Sequence, residues 1–222
     1  MAHPISPYLA PNFYETALAK GRHRDIVGGR WDETGRIQMQ ILRDAGLLPH
    51  HHLLDIGAGS LRLGCKAVPY LDPGHYWATD ASHALMARGR AVELADPSRL
   101  PATNLIEDSS FDLPGVPRHM DFAIAFGVFT HLPFAVMTEA LASLRPRLPQ
   151  VQRFFFTVFQ TDADTTGPVR QADGVVTHPD RPPYHFRPMD VTRACEQAGW
   201  RVSRDNVMLP RGQVLMVATP AT

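Results

Sequence analysis

The chain has 222 residues, 44% of them hydrophobic, and its 22 basic and 22 acidic side chains give a formal net charge of zero. This length suits a single domain that buries about 70% of its unfolded surface. The balanced charge excludes a global field that would draw the chain to nucleic acid or to an anionic membrane. No apolar run reaches the ~18 residues of a membrane span, and residues 1–9 lack a signal-peptide core. We therefore expect a cytoplasmic protein.

The first part of the chain predicts helices. Three early prolines delay helix formation, and residues 12–20 are expected to form a short helix. A longer helix is predicted over residues 32–45, because apolar residues recur on one stripe and Gly46 follows as a C-terminal cap. We expect residues 1–48 to form a helical cap on a single domain of residues 1–222.

The next stretch has the composition of a nucleotide-binding corner. Residues 53–56 predict a buried strand, residues 57–59 a tight glycine turn, and residues 61–68 a helix. Arg62 stands where the dinucleotide fingerprint has its third glycine, which disfavours that class of ligand. Asp55 lies two residues before the first glycine, and an anion there opposes a phosphate and favours an ammonium or sulfonium ligand.

Strands and helices then alternate, the order expected of a parallel sheet with right-handed crossovers. Helices are predicted after Ser82 and Pro133 and before Gly199. The turn residues 210–212 predict a hairpin between the last two strands. The later strands are predicted at residues 76–80, 103–107, 120–126, 153–159, 200–208 and 213–219.

Residues 160–188 interrupt this alternation. The segment is rich in aspartate, glycine and proline, which suits neither a helix nor a central strand. Long irregular connections in compact domains are uncommon unless they act as lids or binding loops. We therefore predict a lid or substrate loop at residues 160–188.

Three motifs in order resemble those of the class I S-adenosylmethionine (SAM)-dependent methyltransferases. Asp-x-Gly-x-Gly at 55–59 resembles the first motif, YWATDAS at 76–82 the second strand, and MDFAIAFGVFTHL at 120–132 the fourth strand and its exit. The resemblance implies an α/β fold: a Rossmann-like doubly wound sheet of seven strands, mostly parallel with a C-terminal antiparallel hairpin, and helices on both faces. GSLR at 59–62, FTHL at 129–132, PYHF at 183–186 and PRGQ at 210–213 further resemble a bacterial small-molecule methyltransferase subgroup.

The resemblance implies a binding site for SAM. Asp55 and the glycine-turn backbone would hold the methionine part, and Asp80 the ribose hydroxyls. Asp108 would accept from the adenine amino group, with Glu107 and Asp112 as alternatives. The cofactor-site candidates are Trp31, Asp55, Gly57, Ala58, Gly59, Arg62, Asp80, Ala81, Asp108 and Phe126.

Four of these candidates carry particular roles or alternatives. Ala81 would flank the adenine ring, and Phe126 would approach the methionine end. Arg62 opposes the helix dipole at its predicted place, which indicates a partner: either the SAM carboxylate or a structural acid. Trp31 either closes over the cofactor or packs in the core.

Methyl transfer needs in-line placement and exclusion of water more than it needs a catalytic group. If the acceptor arrives protonated, His131 and His185 are the candidate bases, although each could equally be a structural histidine. Tyr184 and Arg211 are candidates to orient the acceptor, and an arginine suits a carboxylate; the alternatives are a packed ring and a solvated turn. No metal site is predicted.

The sequence thus predicts a SAM-dependent methyltransferase that acts on a small-molecule acceptor, with oxygen favoured as the methylated atom. No nucleic-acid or membrane partner is expected, and the oligomeric state is open. One alternative is a SAM-binding protein of the same fold that does not methylate. An NAD(P)-linked oxidoreductase is a weaker alternative, because the glycine spacing and Asp55 disfavour it.

Overall fold

The computed structural model describes Ser6, Tyr8, residues 12–162 and residues 164–221. Within them the α-helices are α1 (Phe13–Ala19), α2 (Trp31–Asp44), α3 (Gly64–Tyr70), α4 (His83–Glu93), α5 (Phe134–Arg147) and α6 (Pro188–Gln197). The strands are β1 (Leu53–Ile56), β2 (Tyr76–Asp80), β3 (Leu105–Glu107), β4 (Phe122–Ala125), β5 (Arg153–Gln160), β6 (Val169–Arg170), β7 (Val176–Thr177), β8 (His185–Phe186), β9 (Trp200–Arg204) and β10 (Val214–Pro220). No helix in this part of the chain is long and apolar enough to cross a bilayer.

The main sheet has the strand order β3-β2-β1-β4-β5-β10-β9. The first five of these strands run parallel, and β10 lies antiparallel between β5 and β9. The predicted seven-stranded, mostly parallel sheet with an antiparallel C-terminal pair is therefore confirmed. The short strand β8, which the sequence did not predict, pairs with the end of β5. The order of successive strands reverses between β1 and β4, and such a switch point is where open α/β sheets bind their ligands.

Helices cover both faces of the sheet, as predicted. β1 and β4 are buried along their whole length, which explains their nearly continuous apolar sequences. Leu54 packs in a core with residues of α5 and α6, whereas its neighbour Leu53 packs in a second core with residues of α2, α3 and α4. Because successive side chains of β1 point to opposite faces of the sheet, each layer of helices packs on its own hydrophobic core.

The turn after β1 differs from its prediction. The helix was expected over residues 61–68, but α3 begins at Gly64 and continues through Pro69 to Tyr70. Leu61 has a left-handed backbone (φ 63°), which is incompatible with the interior of an α-helix. Arg62 therefore lies in the turn before α3 and not in the first turn of the helix.

The connection between the last two strands is also longer than predicted. β9 ends at Arg204, four residues before the predicted end, and residues 205–213 lead to β10. Buried Leu209 anchors this connection to the core. Residues 210–212, expected to be the hairpin turn, form a 3₁₀ turn at its far end. The prediction of a tight hairpin was wrong because anchoring at Leu209 carries the chain away from the strand ends.

Residues 160–188 contain regular structure that their composition did not predict. The strands β6 and β7 form a small antiparallel hairpin, and β8 lies along β5. Phe186 is buried in the core beside α5 and α6. The segment is therefore attached to the sheet at its C-terminal end.

Candidate functional site

A cavity opens at the carboxyl ends of the parallel strands, at the switch point. Its floor contains Asp55 in β1, the turn of residues 57–59, Asp80 at the end of β2, Asp108 after β3 and Phe126 after β4. The carboxyl ends of parallel strands share one edge of a sheet, so residues far apart in sequence meet there. The structure thus brings the candidate acids of three strands to one cavity.

Asp55 is a buried carboxylate with one strong partner. The Tyr76 hydroxyl donates to its Oδ2 at 2.6 Å, and both residues are almost wholly inaccessible. Burial raises the pKa of Asp55 to about 7, and the Tyr76 hydrogen bond and the charge of Arg62 oppose this rise. A cation bound in the cavity would favour the ionised form further.

The glycine turn uses its own N–H groups for folding. The N–H groups of Gly57 and Ala58 donate to the Thr79 carbonyl at 2.7 and 3.0 Å. Both glycines have left-handed backbones, and a Cβ at Gly57 or Gly59 would overlap a valine side chain. A ligand can therefore come close to the backbone of the turn, but the N–H groups of Gly57 and Ala58 are already used within the protein.

Asp80 joins the glycine turn to the end of β2. Its two oxygens accept from the N–H groups of Gly59 at 2.9 Å and Ser82 at 3.0 Å. Burial raises the pKa of Asp80 to about 6, against the lowering effect of these hydrogen bonds. A carboxylate has about four lone-pair sites, so Asp80 keeps acceptor capacity for ligand hydroxyl groups.

Asp108 is the acid after β3 that lines the cavity. It accepts from the N–H groups of Ser110 and Leu113, both at 2.9 Å, and so shapes the loop that follows β3. Its alternative Glu107 accepts from the His83 N–H at the start of α4. Ala81 lines the cavity between Asp80 and α4.

Arg62 links the glycine turn to a segment that we call the roof, residues 26–30. Its Nη1 donates to the carbonyls of Val27 at 2.7 Å and Gly29 at 3.3 Å. Its Nε is buried without a partner, as is the Oε1 of nearby cavity residue Gln38. Burial lowers the pKa of Arg62 to about 10, so the side chain remains cationic at neutral pH.

His131 occupies the opposite wall of the cavity, after β4. Its ring meets the Tyr8 ring edge-on, with centroids 5.0 Å apart, and its Nδ1 is buried without a partner. Burial, reinforced by the charge of Arg211, lowers the pKa of His131 to about 4. The imidazole is therefore neutral at physiological pH.

Comparison with known proteins finds a similarity in this part of the chain. Residues 54–150, a little under half of the chain, match the model of a family described as a methyltransferase domain. No curated protein matches the sequence.

Solved methyltransferases share the fold of the whole chain. The magnesium protoporphyrin IX methyltransferase ChlM from Synechocystis PCC 6803, with bound SAM, has 13% identity and a TM-score of 0.66 over 99% of each chain. The DhpI complex with S-adenosylhomocysteine (SAH) has 20% identity and a TM-score of 0.61 over 93% of this chain and 96% of that one. The glycopeptide N-methyltransferase MtfA has 17% identity and a TM-score of 0.61 over 87% and 91%. The chain thus shares the fold of these solved methyltransferases, as the motifs indicated.

Three of the candidate residues lie away from the cavity. Trp31 begins α2, and the Arg24 guanidinium lies 5.1 Å from its ring centroid. Tyr184 and His185 are buried at β8, where His185 Nδ1 and the Thr177 hydroxyl lie 2.8 Å apart in a hydrogen bond. Of the two candidate bases, His131 is the one that lines the cavity.

The sequence analysis expected an N-terminal cap over residues 1–48 and named Trp31 in it as a possible cofactor contact, but it did not single out Val27, Gly28 and Arg30, which line the cavity. Two glycines at 28 and 29 marked a break in the chain, but no motif indicated that this break covers the strand ends. The Arg211 Nη2 donates to the Gly28 carbonyl at 2.5 Å and closes the roof from the other side. The cavity-lining residues that were not candidates include Tyr8, Tyr14, Val27, Arg30, Thr34, Gln38, Val128 and Gln213.

Proposed function

We propose that the protein is a SAM-dependent methyltransferase that methylates a small-molecule acceptor on oxygen. One observation carries the proposal: two buried carboxylates, Asp55 and Asp80, flank a close-approach glycine turn at the switch point of a class I sheet. Anions at these places suit a cationic nucleoside ligand and oppose the pyrophosphate of a dinucleotide.

The polar groups around the turn fit the two ends of SAM. Its amino-acid end carries an ammonium and a carboxylate, and the cavity offers acceptors at Asp55 and Gln38 Oε1 and a donor at Arg62 Nε. Gln38 Oε1 and Arg62 Nε are buried and have no hydrogen-bond partner among the described residues, and such groups are costly unless a ligand or water satisfies them. Asp80 would accept from the ribose hydroxyls, and Ala81 and Asp108 would border the adenine.

When bound, SAM supplies an electrophilic methyl group on its sulfonium. The chain's own residues then have to exclude water and hold the acceptor oxygen in line. The roof and Tyr8 cover the cavity, and Leu132 adds an apolar wall. His131 is neutral, so it can accept a hydrogen bond from an acceptor hydroxyl and take up its proton.

Calorimetry with SAM and with NADH tests the cofactor. We expect SAM to bind and NADH to give no signal. Asp80→Ala should weaken SAM binding by about 1–3 kcal/mol, since hydrogen bonds to an ionised group are lost. Asp72→Ala, which removes an exposed carboxylate away from the cavity, should leave the affinity unchanged. Tight NADH binding without SAM binding would refute the proposal.

A screen of acceptors with labelled SAM then tests methyl transfer. Label should appear in a small-molecule product, at an oxygen. SAM binding with no transfer to any acceptor would favour the alternative, a SAM-binding protein of the same fold that does not methylate.

A further inference from the structure

The acids of the cavity lie at its strand ends, where Arg62 accompanies them. The acids that line it within the described residues, Asp55, Asp80 and Asp108, all belong to the ends of β1, β2 and β3. The other side, which we call the acceptor wall, consists of Tyr8, His131, Arg211 and Gln213. It carries a cation, two neutral polar side chains and a phenol.

Arg211 is held in the acceptor wall by an unusual backbone. Its φ of 65° is left-handed, a conformation that is unfavourable for a non-glycine residue. The Asp173 carboxylate accepts from the Arg211 N–H at 3.0 Å and stabilises this turn. Residues kept in such conformations cluster at ligand sites.

The guanidinium of Arg211 is only partly used by the protein. Its Nη2 donates to the neutral Gly28 carbonyl, and among the described residues no carboxylate forms a salt bridge with it. By contrast, Arg30 is paired with Glu33 and Asp173. An arginine offers five N–H donors, so Arg211 has donors left for an anion.

Two further atoms of the acceptor wall have no hydrogen-bond partner in the part of the chain that the structure describes. They are His131 Nδ1 and Gln213 Oε1, and both are buried. The Nδ1–H tautomer of a neutral imidazole donates a hydrogen bond, and a glutamine amide can donate or accept. Both groups can therefore bind the oxygens of a polar ligand that lies against Arg211.

We infer that the acceptor wall is a carboxylate-binding subsite and that the methyl acceptor is a small organic acid. Arg211 would form a charge-assisted pair with the acid, and His131 and Gln213 would complete its hydrogen bonds. An ammonium-bearing acceptor would meet a cation and no anion on this wall. A neutral acceptor would leave the Arg211 charge without a counter-ion. The inference rests on the proposed function, because it needs the opposite side of the cavity to hold SAM.

Ligand-observed NMR on the SAH-loaded protein tests this inference. The library contains matched aromatic and aliphatic carboxylic acids with the corresponding primary amides and amines. We expect binding of acids in clear excess over their amides and no binding of amines. Arg211→Gln should weaken the acids at least tenfold and remove their advantage over amides. Arg211→Lys, which keeps the positive charge, should retain part of the preference for acids over amides.

SAH affinity, measured on each variant, serves as the folding control. Arg201→Gln removes an exposed arginine on β9 and should change neither SAH nor acid binding. Equal binding of acids and amides, an absence of acid ligands, or unchanged acid binding by Arg211→Gln would overturn the inference. A protein that binds no SAH would instead refute the proposed function, so the two failures are distinguishable.

Discussion

Tyr76→Phe removes the hydroxyl that donates to Asp55 and leaves that buried carboxylate without its closest partner. A hydrogen bond to a charged group contributes about 1.5–3 kcal/mol, whereas one to a neutral group contributes about 0.5–1.5 kcal/mol. Since one pKa unit corresponds to about 1.4 kcal/mol, the pKa of Asp55 should rise from about 7 by a further one unit or so.

The sign of the pH effect follows from the raised pKa of Asp55. Below its unfolded pKa of about 4, Asp55 is protonated in both states, and folding carries no charge penalty. Between that pH and its folded pKa of about 7, Asp55 ionises in the unfolded state only, so the free energy of unfolding falls as the pH rises; above pH 7 both states are ionised and it stays at the lower value. The loss of stability in Tyr76→Phe should therefore be about 0.5–1.5 kcal/mol at pH 5 and about 1.5–3 kcal/mol at pH 9.

Urea denaturation at pH 5, 7 and 9 measures this difference, and Tyr70→Phe is the matched control. The Tyr70 hydroxyl donates to the neutral Leu47 carbonyl at 2.8 Å, so its loss should have the same small effect at every pH. SAM affinity should increase with pH as Asp55 ionises, with a higher midpoint in Tyr76→Phe. If the destabilisation of Tyr76→Phe is the same at pH 5 and pH 9, the electrostatic role assigned to this hydrogen bond is wrong.

Three other variants test the acceptor wall, the packing of α4 against the glycine turn and the attachment of the N-terminal segment. His131→Ala should lower turnover about 10²–10⁴-fold with SAM affinity nearly unchanged if His131 accepts a proton, and a normal rate in the folded variant would exclude that role. Gly89→Ala should lower the melting temperature by about 2–8 °C, because a Cβ there would overlap the Ser60 carbonyl, and this overlap costs more than the gain in helix propensity. Arg88→Ala on the exposed face of α4 is the control and should have little effect. Glu93→Gln should lower the free energy of unfolding by about 1–2 kcal/mol in urea melts, since it weakens the hydrogen bonds of Glu93 with His23 and Arg24 in the N-terminal segment. An unchanged free energy of unfolding would mean that these hydrogen bonds contribute nothing to stability.

The sheet and the floor of the cavity were predictable because their signals are local. Strands buried on both faces read as apolar runs, as in β1 and β4. The left-handed glycines of the turn and the acid at the end of β2 lie at fixed distances from those runs. A single sequence therefore contains the order of these elements and the edge at which their acids meet.

The roof and the acceptor wall were not predictable because their contacts are non-local. Gly28 and Arg211 are 183 positions apart, and their contact joins a backbone carbonyl to a loop side chain. Neither partner needs a particular neighbour in sequence, so no periodicity marks the pair. The same reason explains the error at residues 210–212, whose place depends on the burial of Leu209.

Two arginines from different loops hold the roof by adjacent residues. Arg62 binds the carbonyl of Val27 from the glycine turn, and Arg211 binds that of Gly28 from the loop before β10. Arg211 uses one of its five N–H donors for the Gly28 carbonyl, so an anion can bind the others without replacing that contact. An anion at the Nε of Arg62 likewise leaves the roof contacts of Arg62 intact. Ligand binding on either side of the cavity is therefore compatible with a roof that both arginines continue to hold.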